Sequence, residues 1–278
     1  MPHRVASIAP MRARLRPLST VGRGLSFPSF ATRPSASPSP PVSLDTLQQI
    51  LLVAPVILVS FVAHEFAHGY VAWKQGDSTA HDLGLLNWDP RTYVDPLMTL
   101  VMPLVTFVGS GGNMILGGAR SAPLNPANYR HPRLGDILVS LAGVTANLLL
   151  VALAAGLFIA AGALGRGGSG GESLGIFQAM CVRAVQLNLF LILFNLLPIP
   201  PLDGSHVVKN LLPRPLAARY ARLGRYGILM LLFLVYFGGA WLEAWMRPAR
   251  QAGDVLLDRL EAFQLPSTAR WLQMRSDA

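Results

Sequence analysis

Charge is what this sequence has least of. Asp, Glu, Lys and Arg make up 13% of its 278 residues, about half of the roughly 25% usual in a soluble domain. With 52% hydrophobic residues and a mean hydropathy of +0.43, the deficit argues against an ordinary soluble enzyme and says that most of the chain meets lipid. Cysteine is nearly absent as well: Cys181 stands alone, which excludes an intramolecular disulfide scaffold and a Cys-based zinc site. Any metal must therefore be held by His and carboxylates. Lysine occurs only as Lys74 and Lys209, so the net charge of +9 is carried by arginine. These arginines fall in the gaps between apolar runs, with no basic helix and no aromatic platform beside them. That placement fits the flanks of membrane segments and argues against a nucleic-acid partner.

Residues 1–44 form a compositional island of six Arg, eight Ser and eight Pro, with no Asp, Glu or Lys. Such a stretch cannot bury a core and is expected to be disordered. It reads as an unstructured extension in preference to an organelle transit peptide, and it has no apolar stretch suited to a secretory signal. Beyond it, apolar runs occupy 50–73, 93–112, 137–164, 177–197 and 226–242. Each is near the roughly 20 residues that cross a bilayer as a helix. Residues 45–245 form one membrane domain, and 246–278 read as an amphipathic tail, broken at Pro266 and lying on a membrane surface or on a partner. The fold class is all-α: a polytopic membrane protein of four to five transmembrane helices, embedded in the lipid bilayer.

The strongest chemical signal is His64-Glu65-Phe66-Ala67-His68. On a helix, residues four apart share a face, so both imidazoles reach one cation, while the Glu beside them can take a proton from a water on that cation. This is the content of the H-E-x-x-H pattern. Three ionisable groups in five residues cost several kcal/mol inside a membrane segment and persist only if something pairs with them.

Two histidines leave a catalytic zinc one protein ligand short. Asp203 fits the vacancy. It ends the fourth apolar run in Asn195-Leu-Leu-Pro-Ile-Pro-Pro-Leu-Asp203-Gly204, where the prolines break the helix and free backbone groups. Its alternative role is to cap the helix that follows. Asp136, Glu172 and Glu243 sit in turns or at opposite segment ends and are poorer candidates. His81, His131 and His206 read as loop or surface residues, with an outer-sphere role as the other option for His206.

HEFAH in one membrane helix and NLLPIPPLDG more than a hundred residues later resemble the site-2 protease family of intramembrane zinc metalloproteases, in its compact branch without a PDZ domain. The resemblance covers roughly residues 47–210. It implies one Zn2+ on His64, His68 and Asp203, with Glu65 as general base and proton shuttle. It further implies that Asn195, and Asn147 of the Ala142-Gly143-Val144-Thr145-Ala146-Asn147 element, position the substrate backbone or stabilise the oxyanion. Val144 stands where the family usually has Pro, and Gly117–Pro126 (GGARSAPLNP) where it usually reads GWAKPVPVNP. The implied substrate is a membrane protein or peptide, cut within or near its spanning segment. Two rival functions use the same ligands: a zinc-binding pseudoprotease, and a metal transporter.

One cation constrains the topology. If all five runs cross, three crossings separate His68 from Asp203 and leave them near opposite faces of a core about 30 Å thick. An even number is needed. The run 93–112, with Pro103 at its middle and glycines at its end, is therefore expected to be a re-entrant or hairpin element. The loops 74–92, 113–136 and 205–225 then share one side with nine Lys/Arg up to Arg222, which places the metal site toward the cytoplasmic face. The bacterial inner membrane is the expected location, ahead of an organellar one.

Overall fold

The computed structural model describes residues 44–95, 117–118, 120, 122–166 and 171–273. The expected disorder of 1–44 and the expected re-entrant element within 93–112 fall outside these residues, apart from Leu44 and residues 93–95. The described residues are helix, turn and loop, without a strand.

Helix α1 (Leu44–Gln75) carries the HEFAH sequence. At 1.5 Å per residue its 32 residues extend about 48 Å, more than a hydrocarbon core needs. A single turn, α2 (Thr79–Asp82), follows. The long α3 (Pro132–Gly165) starts with Pro at its first position, where no intrahelical N–H is required. The next helix is α4 (Gly171–Asn195), followed by the proline-rich break and α5 (Asp203–Leu211). Then come α6 (Arg214–Arg222), α7 (Gly227–Phe237), α8 (Gly239–Leu260) and α9 (Pro266–Gln273). Four helical stretches are long and apolar enough to cross a membrane: Leu51–Gln75, Pro132–Gly165, Gly171–Asn195 and Arg214–Phe237. The chain is an integral, polytopic membrane protein.

The last of these differs from the expected run at 226–242. The helix breaks at Gly238, whose N–H donates to Leu234 O at 2.7 Å and whose missing Cβ would lie 2.4 Å from that same oxygen. Helix α7 alone, with 11 residues, extends only about 16 Å. The spanning length comes from α6 and the turn at Leu223–Tyr226 instead, while 239–242 belong to α8.

The C-terminal region also departs from expectation. The boundary at 245/246 falls inside α8, and Pro266 opens α9 instead of breaking a helix. Much of its apolar face packs on the chain's own α3 and α4. Leu257, Leu260 and Leu272 pack with Phe158, Val182 and Val185, and Trp245 Nε1 donates to Leu193 O at 2.9 Å. Gln178, fully buried in α4, ties the two elements together. Its Nε2 donates to Phe158 O and Phe263 O, both at 2.9 Å, and its Oε1 accepts from Leu265 N and Thr268 Oγ1 at 3.0 and 2.6 Å.

The chain leaves α1 and returns to α3 at one end of the bundle. Arg130 N donates to Gln75 O at 2.8 Å. Next to it the buried Asp77 carboxylate accepts from Asn125 N (2.7 Å), Asn128 Nδ2 (2.9 Å) and Thr79 Oγ1 (2.6 Å). Burial pushes the Asp77 carboxyl up, but these donors outweigh it and hold the group below its ordinary value. Gln75 and Arg130 therefore lie at the same end of the bundle. Single cysteines in place of the exposed Leu83 and Ala127 are expected to react with an impermeant maleimide from the same face of sealed vesicles, the native Cys181 being buried. Labelling from opposite faces contradicts this path.

Candidate metal centre

Helix α1 presents His64 and His68 on one face, both buried, with rings edge-on at 83° and centroids 4.6 Å apart. Their Nε2 atoms are 3.0 Å apart. Asp203 Oδ2 completes a triangle at 3.3 Å from His64 Nε2 and 3.4 Å from His68 Nε2. Two Zn–N bonds of about 2.05 Å at the tetrahedral angle put their nitrogens about 3.3 Å apart, so the triangle has the edges of a zinc ligand set. It is the one group of three or more His, Cys, Asp or Glu among the described residues that is arranged to hold a metal ion. Asp203 Oδ2 is buried and accepts no hydrogen bond. A buried anionic oxygen facing two imidazole nitrogens is a costly arrangement unless a cation lies between them.

Each ligand is held from behind. His68 Nδ1 donates to Val139 O at 2.7 Å, which leaves the Nε2 lone pair for the metal. His64 Nδ1 lies 3.2 Å from Asn147 Nδ2, while Asn147 Oδ1 is buried without a hydrogen-bond partner. For His64 to offer Nε2 to a metal, its Nδ1 must carry the proton. The Asn147 amide, turned by 180°, then accepts that proton with the oxygen that is otherwise unpaired. Asn147 thus stands behind a metal ligand.

Asp203 is the first residue of α5, with Leu202 at the cap position and no side-chain capping bond. The capping alternative does not describe it: the side chain turns toward the imidazoles. Burial pushes its carboxyl up, and His64 and His68 more than offset this, holding it below the ordinary carboxylate range. Gly204 packs against the last turn of α4, where a Cβ would lie 2.3 Å from Leu196 O.

Glu65, half-buried, lies within electrostatic reach of all three ligands and accepts the backbone N–H of Ala122. Asn195 closes α4 with its Nδ2 donating to Leu191 O of its own helix at 3.0 Å, so it is not drawn into the triangle. Asp136 is buried as well, but it faces α5 and not the metal position. Its signal in the sequence was a lone acid at the start of an apolar helix. Gly143 supplies clearance: a Cβ there would sit 2.5 Å from both His64 Cε1 and His68 Nε2.

The comparisons with known proteins agree with this geometry. Residues 172–235, which include Asp203, match Peptidase family M50. Over 178 residues the chain is 38% identical to the "Putative zinc metalloprotease YwhC" of Bacillus subtilis, an alignment covering 64% of this chain and 77% of that relative. The chain belongs to peptidase family M50, the site-2 proteases. Two mycobacterial relatives named Rip2 carry the same designation. The one from Mycolicibacterium smegmatis is 30% identical over 70% of this chain and 72% of its own length. The one from Mycobacterium tuberculosis H37Rv is 34% identical over 68% and 67%. No solved structure matches. For an M50 peptidase the cofactor is zinc, and the donor set described here suits it.

In this M50 peptidase Gly143→Ala is expected to displace both imidazoles. Zinc affinity, measured by chelator competition, should fall at least tenfold, within the roughly 10–100-fold range seen when the support behind metal ligands is disturbed. Native affinity in that variant contradicts the close approach of α3 to the rings.

Proposed function

We propose that this chain is an intramembrane zinc endopeptidase that hydrolyses peptide bonds within or near the membrane-spanning segments of other proteins. The carrying observation is Glu65: a carboxylate beside three converging ligand atoms, in a helix apolar and long enough to cross a membrane. His64, His68 and Asp203 would hold the metal, Nε2 and Oδ2 being their donor atoms. When bound there, zinc lowers the pKa of a water and polarises the scissile carbonyl. Glu65 takes a proton from the attacking water and delivers it to the leaving amine. Val139 and Asn147 keep the imidazoles in the tautomer this requires.

A substrate helix shields its amides by internal hydrogen bonds, so the bond to be cut must first be drawn out. Residues 122–125, fastened to Asp77 through Asn125 and meeting Glu65 through the Ala122 N–H, offer backbone groups along which an unwound substrate can lie. Asn195, half-buried where α4 gives way to the proline break, is assigned to the substrate side. The likeness to bacterial relatives and the basic loops at the metal end support a bacterial inner membrane with the site toward the cytoplasm.

A pseudoprotease or a metal transporter needs no base at position 65, and this favours the protease. Glu65→Gln is expected to keep one zinc per chain while cleavage of a model membrane substrate falls by about 10²–10⁴-fold, the usual worth of a general base. Chelation should abolish the native activity and added Zn2+ restore it. Undiminished cleavage by the zinc-loaded Glu65→Gln variant contradicts the assignment.

A further inference from the structure

Asp136 is a carboxylate buried near the start of α3, its side chain 6% exposed, and the chemistry above gives it no task. Three side chains from one short helix converge on it. Lys209 Nζ lies 2.7 Å from Oδ2, His206 Nδ1 lies 3.1 Å from Oδ1, and Asn210 Nδ2 donates to Oδ2 at 2.5 Å. Residues 206, 209 and 210 stand at i, i+3 and i+4 on α5 and so share one face. The residue at the other end of this helix is Asp203.

Apart from the seat of Gly204 on the last turn of α4, helix α5 has little else to fix it. Nine residues are too few to be stable alone, and no side chain caps its N-terminus. Of its residues only Gly204 and Ser205 are buried, and neither contributes an apolar side chain of any size. Its orientation relative to α3 is set largely by the grip on Asp136. With its N-terminal end seated at Gly204, a tilt of α5 by about 10° swings the Asp203 carboxylate, about 5–6 Å off the helix axis, by about 1 Å. Metal sites work only when their ligands are held more tightly than that.

We infer that Asp136 is a positioning residue for the metal centre: by clamping His206, Lys209 and Asn210 it sets the angle of α5 and holds Asp203 at bonding distance from the imidazoles' metal. The inference rests on the zinc-peptidase reading. It places Asp136 in one stripe of α3 with Val139, Gly143 and Asn147. These positions recur at helical spacing, and each of them serves the ligand triangle.

The test uses the full chain in detergent micelles, with zinc affinity read by chelator competition, helix content by circular dichroism, and kcat and KM on a membrane peptide. Native protein that neither binds zinc nor cleaves overturns the peptidase reading itself. If the native chain does both, Asp136→Asn is expected to lose about 10–100-fold in zinc affinity, with unchanged helix content in the zinc-free protein and a loss confined to kcat. The exchange Asp136→Asn with Asn210→Asp returns a carboxylate to the same contact and is expected to recover most of the affinity. Zinc affinity within about twofold of native in Asp136→Asn overturns the inference, since outer-sphere ligand support is worth more than that; so does a loss that the exchange leaves wholly unrepaired. Should Asp136→Asn fail to fold, Asn210→Ala carries the test, because it removes one bond of three on a half-buried residue. It is expected to lower zinc affinity about threefold, as one hydrogen bond of about 0.6 kcal/mol would, and unchanged affinity overturns the inference.

Discussion

Three electron-pair donors, two imidazole nitrogens and one carboxylate oxygen, are brought within 3.0–3.4 Å of one another in a mostly apolar surrounding. Lone pairs aimed at a common point repel, and each has given up water to be there. A bound cation makes the arrangement favourable, and away from bulk water its attraction is strengthened. Much of the rest of the molecule follows from the need to assemble this triangle. Asp203 must return to the level of His64 and His68 after two long helices, so 76–131 must begin and end on one side. The hydrogen bond from Arg130 to Gln75 and the donors gathered by Asp77 show how that return is secured.

Helix α3 supplies no metal ligand and yet organises both imidazoles. Val139 directs His68 through a carbonyl, Asn147 stands against His64, and Gly143 lets the helix backbone approach both rings. This division of labour is physically sensible. The ligating helix α1 cannot fix its own imidazoles by sequence-local contacts, since residues on one helix meet only along its surface. A second helix laid across it can offer a carbonyl, an amide and a gap at successive turns. Rigid packing of α3 between α1 and α4 converts those contacts into a fixed geometry, as a preorganised site requires.

Much of this could be read in the sequence because the chemistry is local there. His64 and His68 stand at i, i+4, and Asp203 follows a proline break that ends an apolar run, so short-range rules applied to both. Three of the four spans were visible as long, mostly apolar stretches for the same reason. What escaped depends on tertiary partners. The apolar face of 246–273 announced that something covers it, but periodicity does not say what, and α3 and α4 cover much of it. Gly238 ends a helix inside a run that hydropathy alone reads as continuous. Asp136 looked like an acid at a segment end because its three partners are about 70 residues away. The position of Asn147 against His64 depends on how α3 crosses α1, which short-range rules do not give.

The central claim is a zinc ion on two imidazoles and one carboxylate, and X-ray absorption at the zinc edge of the purified protein addresses it most directly. The account predicts a first shell of nitrogen and oxygen only, at about 2.0–2.1 Å, with the multiple scattering of two imidazoles. It also predicts that Asp203→Ala removes one oxygen from that shell. A shell containing sulfur near 2.3 Å, or one unchanged by Asp203→Ala, would contradict it.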